Sequence, residues 1–167
     1  MCAMVERNLR TGTSFMNSTG LLHFDAHFRN ILTDGRRLYF ADFGLAMSPR
    51  FELSAAEVDF LGKNMSHDGC YTVTQLVNWL VTALAGAVDR TDRIEFIRRC
   101  AEGGEPANVP APAAAVIKRY APVAVVMNEF YGKLYLESRT TPYPVDEIQR
   151  VCATTGFEPT LSSRIPT

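Results

Sequence analysis

Apolar residues recur at three- and four-residue spacing along most of this chain, interrupted near its start by a turn signal of a different kind. Over residues 3–16, Val5, Leu9 and Met16 fall on one face with Met4 at its edge, which predicts a short amphipathic helix. Gly12 and the Thr and Ser residues around it weaken the second half. Asn17-Ser18-Thr19-Gly20 reads as a loop or helix end. Then the period changes. Residues 31–33 and 36–40 flank Asp34-Gly35, the dipeptide favoured by a type I′ turn, in which both central residues need positive φ. A two-residue hairpin is predicted, with Thr33 opposite Arg36 and Asn30 opposite Tyr39.

Beyond the hairpin the helical period returns. Ser54 with Glu57 three positions later is a capping box, so a helix of about ten residues is expected through Val58, Phe60 and Leu61. Val73, Leu76, Val77, Leu80, Val81 and Leu84 predict a buried helix over 71–88, with Trp79 as a core aromatic broadening its face. Another helix is expected to start at Thr91-Asp92 and to carry Ile94, Phe96 and Ile97, with Arg98 and Arg99 near its C-terminal end as a solvated face. Residues 102–112, EGGEPANVPAP, read as an exposed loop. Helices follow at 112–119 and 122–138, the second with Val125, Val126, Phe130, Leu134 and Leu136, and Tyr120, Tyr131 and Tyr135 as packing residues. After the break at Thr141-Pro142-Tyr143-Pro144, a last helix spans 145–153, and the tail from Gly156 reads as frayed.

Composition narrows the classes. The 47% apolar content is ordinary for a globular chain, and 167 residues suffice for one domain with a core. With 17 basic and 18 acidic residues and no basic face, nucleic acid is not an expected partner. Cys2, Cys70, Cys100 and Cys152 form no C-x-x-C pair and read as reduced, mostly buried thiols, which fits a cytoplasmic protein. The opening MCAMVERNLR has no apolar run, so no signal peptide is expected. Gly69 to Val88 is uncharged but carries Thr72, Thr74, Gln75, Asn78 and Thr82, so a buried helix is expected there and no membrane span.

The candidate chemistry sits at the ends of the hairpin. Asp25 and Asn30 precede its first strand and Asp42 follows its second, so the turn brings three oxygen-bearing side chains together. Hard oxygens suit Mg²⁺, which takes one or two carboxylates and completes its shell with water and phosphates. His23 to Asn30 has the frame H-x-D-x-x-x-x-N, and Asp42-Phe43-Gly44 follows a strand. This pair of motifs resembles the protein kinase-like superfamily. With His27 where protein kinases have Lys, and no Ala-Pro-Glu triplet downstream, it looks more like its aminoglycoside phosphotransferase and choline kinase branch.

The resemblance is carried by residues 21–46 and extends from about residue 3 onward. It implies a mainly α (α+β) fold, the helical C-terminal lobe of a kinase-like protein with one small hairpin, as a single unit over 1–167 with a helical remainder at 54–155. It also implies ATP and Mg²⁺ as cofactors, with transfer of the γ-phosphate to a hydroxyl acceptor that is a small molecule. Within the catalytic segment, Asp25 would orient and deprotonate the acceptor, and His23 would pack near Phe43. Asn30 and Asp42 would hold metal, with Asp42, Phe43 and Gly44 at the nucleotide.

The superfamily's β lobe, with its Gly-rich loop and strand Lys, has no counterpart here. No G-x-G-x-x-G occurs, and the only lysines are Lys63, Lys118 and Lys133. The expectation is therefore an incomplete fragment, with self-association through the uncovered face. Two alternatives stand beside it. One is a catalytically silent binding module. The other is a metallohydrolase in which His23, Asp25 and His27, alternating on an extended strand, would bind Zn²⁺.

Overall fold

The computed structural model describes residues 2–160. The protein is mainly helical with one two-stranded antiparallel sheet. The chain divides into two compact units, one comprising residues 3–72 with 158–160, the other Val73–Phe157 with Cys2. The division falls inside a helix, between Thr72 and Val73.

In the first unit, α1 (Cys2–Ser18) runs straight through Gly12. A Cβ at Gly12 would lie 2.4 Å from the Phe40 ring, so the missing side chain lets that ring rest on the helix backbone. The close approach explains a glycine that propensity alone would take for a weak point. Leu9 and Met16 are buried, whereas Val5 is only half-buried. After Gly20 (φ +77), Leu22 pairs with Met47 in an isolated antiparallel bridge.

The hairpin consists of β1 (Ile31–Thr33) and β2 (Leu38–Phe40), paired Ile31↔Phe40, Leu32↔Tyr39 and Thr33↔Leu38. The expected two-residue loop is thus corrected to four residues, 34–37, and Thr33 faces Leu38 rather than Arg36. Asp34 is the cause. Its Oδ1 accepts the backbone N–H groups of both Arg36 and Arg37 at 2.8 Å, and its Oδ2 accepts the Tyr39 hydroxyl. Only Gly35 has positive φ (+85), whereas a type I′ turn needs two such residues. Nothing lies within 4 Å of a Cβ built at Gly35. Gly35→Val should therefore cost about 1 kcal/mol through backbone strain alone, checked by the urea midpoint.

The same hydrogen bonds, Arg36 first, then Arg37 and Tyr39, hold the Asp34 carboxyl down from 3.8 to about 2. A lowered carboxylate contributes above its unfolded value and is lost as pH falls through the folded one. The Arg36 and Arg37 amide shifts should hold to pH 4 and move as pH falls from there through about 2; movement completed by pH 4 would contradict the loop geometry.

Ser54 caps α2 (Ala55–Lys63) with the full capping box. Of that helix only Leu61 is buried; Val58 and Phe60 are exposed. Next comes α3 (His67–Leu84), starting four residues before the expected point.

In the second unit, α3 buries Val73, Leu76, Val77, Leu80 and Val81. Trp79 corrects its expected place: it is 51% exposed, off the buried stripe. Asp89 caps α4 (Arg90–Ala101), whose Ile97 and Cys100 are buried. The two expected helices at 112–119 and 122–138 are one, α5 (Ala111–Leu136), with Pro122 inside it. A proline there costs about 3 kcal/mol. Val116, Ile117 and Tyr120 before it and Val123, Ala124 and Met127 after it are buried, and such burial outweighs the cost at about 1.5–3 kcal/mol per large side chain. Val125 and Val126 are only half-buried, and Tyr135 and Leu136 are exposed. Asn78 and Asn128 exchange two amide hydrogen bonds between α3 and α5. Finally, α6 (Val145–Thr155) ends at Gly156 in the left-handed region, and Phe157 is buried edge-on against Tyr120. Phe157 is therefore packed rather than frayed; the expectation for 161–167 lies outside the described residues.

None of the four cysteines forms a disulfide. Among the described residues no helix is long and apolar enough to cross a membrane.

Candidate functional site

Residues 21–47 close on themselves twice. The Leu22–Met47 bridge joins the ends of the segment, and the Ile31↔Phe40 pair joins its middle. Between these closures, Ala41 is held on both sides. Its N–H donates to Asn30 O at 2.8 Å, and its carbonyl meets His23 Nε2 at 3.0 Å. Asp42 follows directly, in the left-handed region at φ +58, which Asp and Asn tolerate better than most residues.

His23 is fully buried. With Nε2–H donated to Ala41, its Nδ1 is left to accept the Asp25 N–H at 3.3 Å, so the two bonds together select the neutral Nε2–H tautomer. Its ring lies 4.6 Å from that of Phe43 and 6.1 Å from that of Phe40. Both nitrogens are thus occupied by backbone, and neither is presented to a ligand.

Asp25 and Asn30 meet directly. Asn30 Nδ2 donates to Asp25 Oδ2 and to Asp25 O, both at 3.0 Å. The amide nitrogen is used up on Asp25, which leaves the Asn30 carbonyl oxygen as the group for a cation. A short turn, His27 N–H to Asp25 O at 2.8 Å, swings the His27 ring back to Asp25. His27 Nε2 stands 3.6 Å from Asp25 Oδ1, beyond direct hydrogen-bond range, and its Nδ1 is buried without a hydrogen bond. Asp42, Phe43 and Gly44 are exposed, and Gly44 N–H approaches Asp42 Oδ1 at 3.4 Å.

The extended strand needed to align His23, Asp25 and His27 on one side is absent, because Phe24 sits at φ +61. Among the described residues no group of three or more His, Cys, Asp or Glu side chains gathers to hold a metal. The zinc arrangement is corrected accordingly. The Asn30 amide oxygen and the Asp42 carboxylate are hard donors of the kind taken by a cation that keeps most of its waters, as Mg²⁺ does.

One residue that sequence reasoning passed over anchors all of this. Asp68, in the first turn of α3, is fully buried. Its Oδ2 accepts His23 N–H at 2.5 Å and its Oδ1 accepts Phe24 N–H at 3.0 Å, with His67 Nδ1 at 3.1 Å. These bonds, together with Phe24's ring contacts to Phe60 and His67, hold a bulky residue at positive φ. Such strain persists only where the surroundings over-determine it. The one signal in the sequence was Asp68 itself, the last charge before the uncharged stretch Gly69 to Val88.

Comparison of the chain with family models, with curated proteins and with solved structures found no match.

Proposed function

We propose that residues 23–44 form the acceptor-activating and metal-holding part of an ATP- and Mg²⁺-dependent phosphotransferase site of the kinase-like type. The observation that supports the reading is the clamp on Ala41, which bonds to Asn30 and to His23 and is followed directly in the chain by Asp42, together with the Asp25–Asn30 hydrogen bond. Bound Mg²⁺ would supply charge neutralisation at the transferring phosphate. Asp42 and the Asn30 carbonyl oxygen would hold it. Asn30 fixes Asp25 Oδ2, so Oδ1 is the oxygen that faces an acceptor hydroxyl and takes its proton. His27 Nε2, 3.6 Å from that oxygen, borders the same space. His23 moves no proton in this scheme; it fixes the spacing between Asp25 and Ala41.

The acceptor class rests on the resemblance, which favours a small-molecule alcohol. A silent binding module is the second reading, supported by the absence from the 167 residues of a Gly-rich loop and of any lysine before Lys63. Under either reading Leu32 and Tyr39, paired across the hairpin, and Phe43 and Leu45 are exposed apolar side chains open to self-association or a partner.

The test separates the two carboxylates. Asp42→Asn should weaken Mn²⁺·ATP binding, followed by titration calorimetry, about tenfold or more. Asp25→Asn should leave it nearly unchanged, because Asp25 acts on the acceptor. Equal losses in both variants would overturn this division of roles.

A further inference from the structure

We infer that residues 158–160 are a strap that positions the catalytic segment through the first turn of α3. Pro159 lies directly on Gly69: a Cβ built there would stand 2.3 Å from Pro159 O and 2.9 Å from its C and Cα atoms. No side chain fits in that space, so the strap sits against the bare helix backbone. Gly69 is buried beneath it.

The seat is one residue from Asp68, whose two carboxylate oxygens hold the His23 and Phe24 amides. Rotating or lifting this turn moves Asp68 and releases the backbone that orients Asp25. The strap is therefore a positioning element with no reacting group of its own. Its action is conformational and does not depend on whether the segment transfers phosphate.

The choice of glycine supports this role. In a helix, Gly is less stable than Ala by about 1 kcal/mol, so a helix turn with nothing above it would gain from the larger residue. Gly69→Ala thus gives opposite signs under the two descriptions. With a passive tail, the turn becomes firmer and exchange of the His23 and Phe24 amides slows. With a strap, the Ala methyl expels Pro159 and exchange of those two amides rises about tenfold or more.

The companion variant ends the chain after Phe157 and is compared with one ending after Thr160. Amide hydrogen exchange by NMR reads both, with the Val123 and Met127 amides of α5 as references. Faster exchange at His23 and Phe24 in both variants, with the references unchanged, is the expected result. Unchanged or slower exchange in either variant, or an equal rise at every amide, would overturn the strap.

Discussion

Asp68→Ala is expected to destabilise the first unit by about 3 kcal/mol or more, the largest stability loss of any single substitution considered. The carboxylate is fully buried and accepts two backbone N–H groups, that of His23 buried and that of Phe24 partly buried. Removing it leaves both donors unpaired, at about 1–3 kcal/mol each. Phe24 also loses the restraint that keeps it at φ +61, so it should relax towards an ordinary backbone region. Asp68→Asn keeps the volume and one acceptor oxygen and should fall between the wild type and the alanine variant. Urea unfolding measures the loss. A change below 1 kcal/mol in the alanine variant would mean that residues 21–47 hold their shape without this anchor.

The second large effect is on turnover. The 167-residue chain alone is expected to transfer no detectable phosphate from ATP to sugars, aminoglycosides, choline-like alcohols or proteins. Phosphoryl transfer depends almost wholly on positioning and on stabilising developing charge. The only lysines are Lys63, Lys118 and Lys133, and no Gly-rich loop occurs to cradle the phosphates. Losing one preorganised charge-stabilising group costs on the order of a hundred- to a thousand-fold, so the loss of two lowers the rate beyond measurement. Radiolabelled ATP with each acceptor class checks this. Robust turnover abolished by Asp25→Asn would show that Asp25, Asn30 and Asp42 suffice.

Local chemistry made much of the fold legible. Asp34-Gly35 marked the turn, Ser54 and Glu57 marked a helix start, and the stripe from Val73 to Val81 marked the buried face of α3. Loop length was not legible, because Asp34 spends its carboxylate on the Arg36 and Arg37 amides, a choice the dipeptide alone does not reveal. Pro122 read as a helix break, since its cost is local while the burial that offsets it is tertiary. Trp79 read as core because its hydrophobicity says nothing of which side of the stripe lies uncovered.

The site divides in the same way. The approach of Asn30 to Asp25 follows from spacing, whereas Asn30 meets Ala41 and not Tyr39, because the four-residue loop shifts the register. Asp68 could not be found so, because it lies 45 residues from His23 and belongs to no motif. Gly12 and Gly69 are parallel cases. Gly12 read as a weak helix position and Gly69 lay before the expected helix, yet each is small because another segment lies against it.

In the proposed site, Asn30 and Asp42 share one cation at the foot of the hairpin. Paramagnetic broadening by substoichiometric Mn²⁺ in the presence of ATP tests it most directly. The Asn30 side-chain amide and the Asp42 and Gly44 backbone amides are expected to broaden first and together, and Asp42→Asn to abolish the effect. Broadening centred on His23 and His27 or at the Asp34 loop, with Asn30 and Asp42 left sharp, would contradict it.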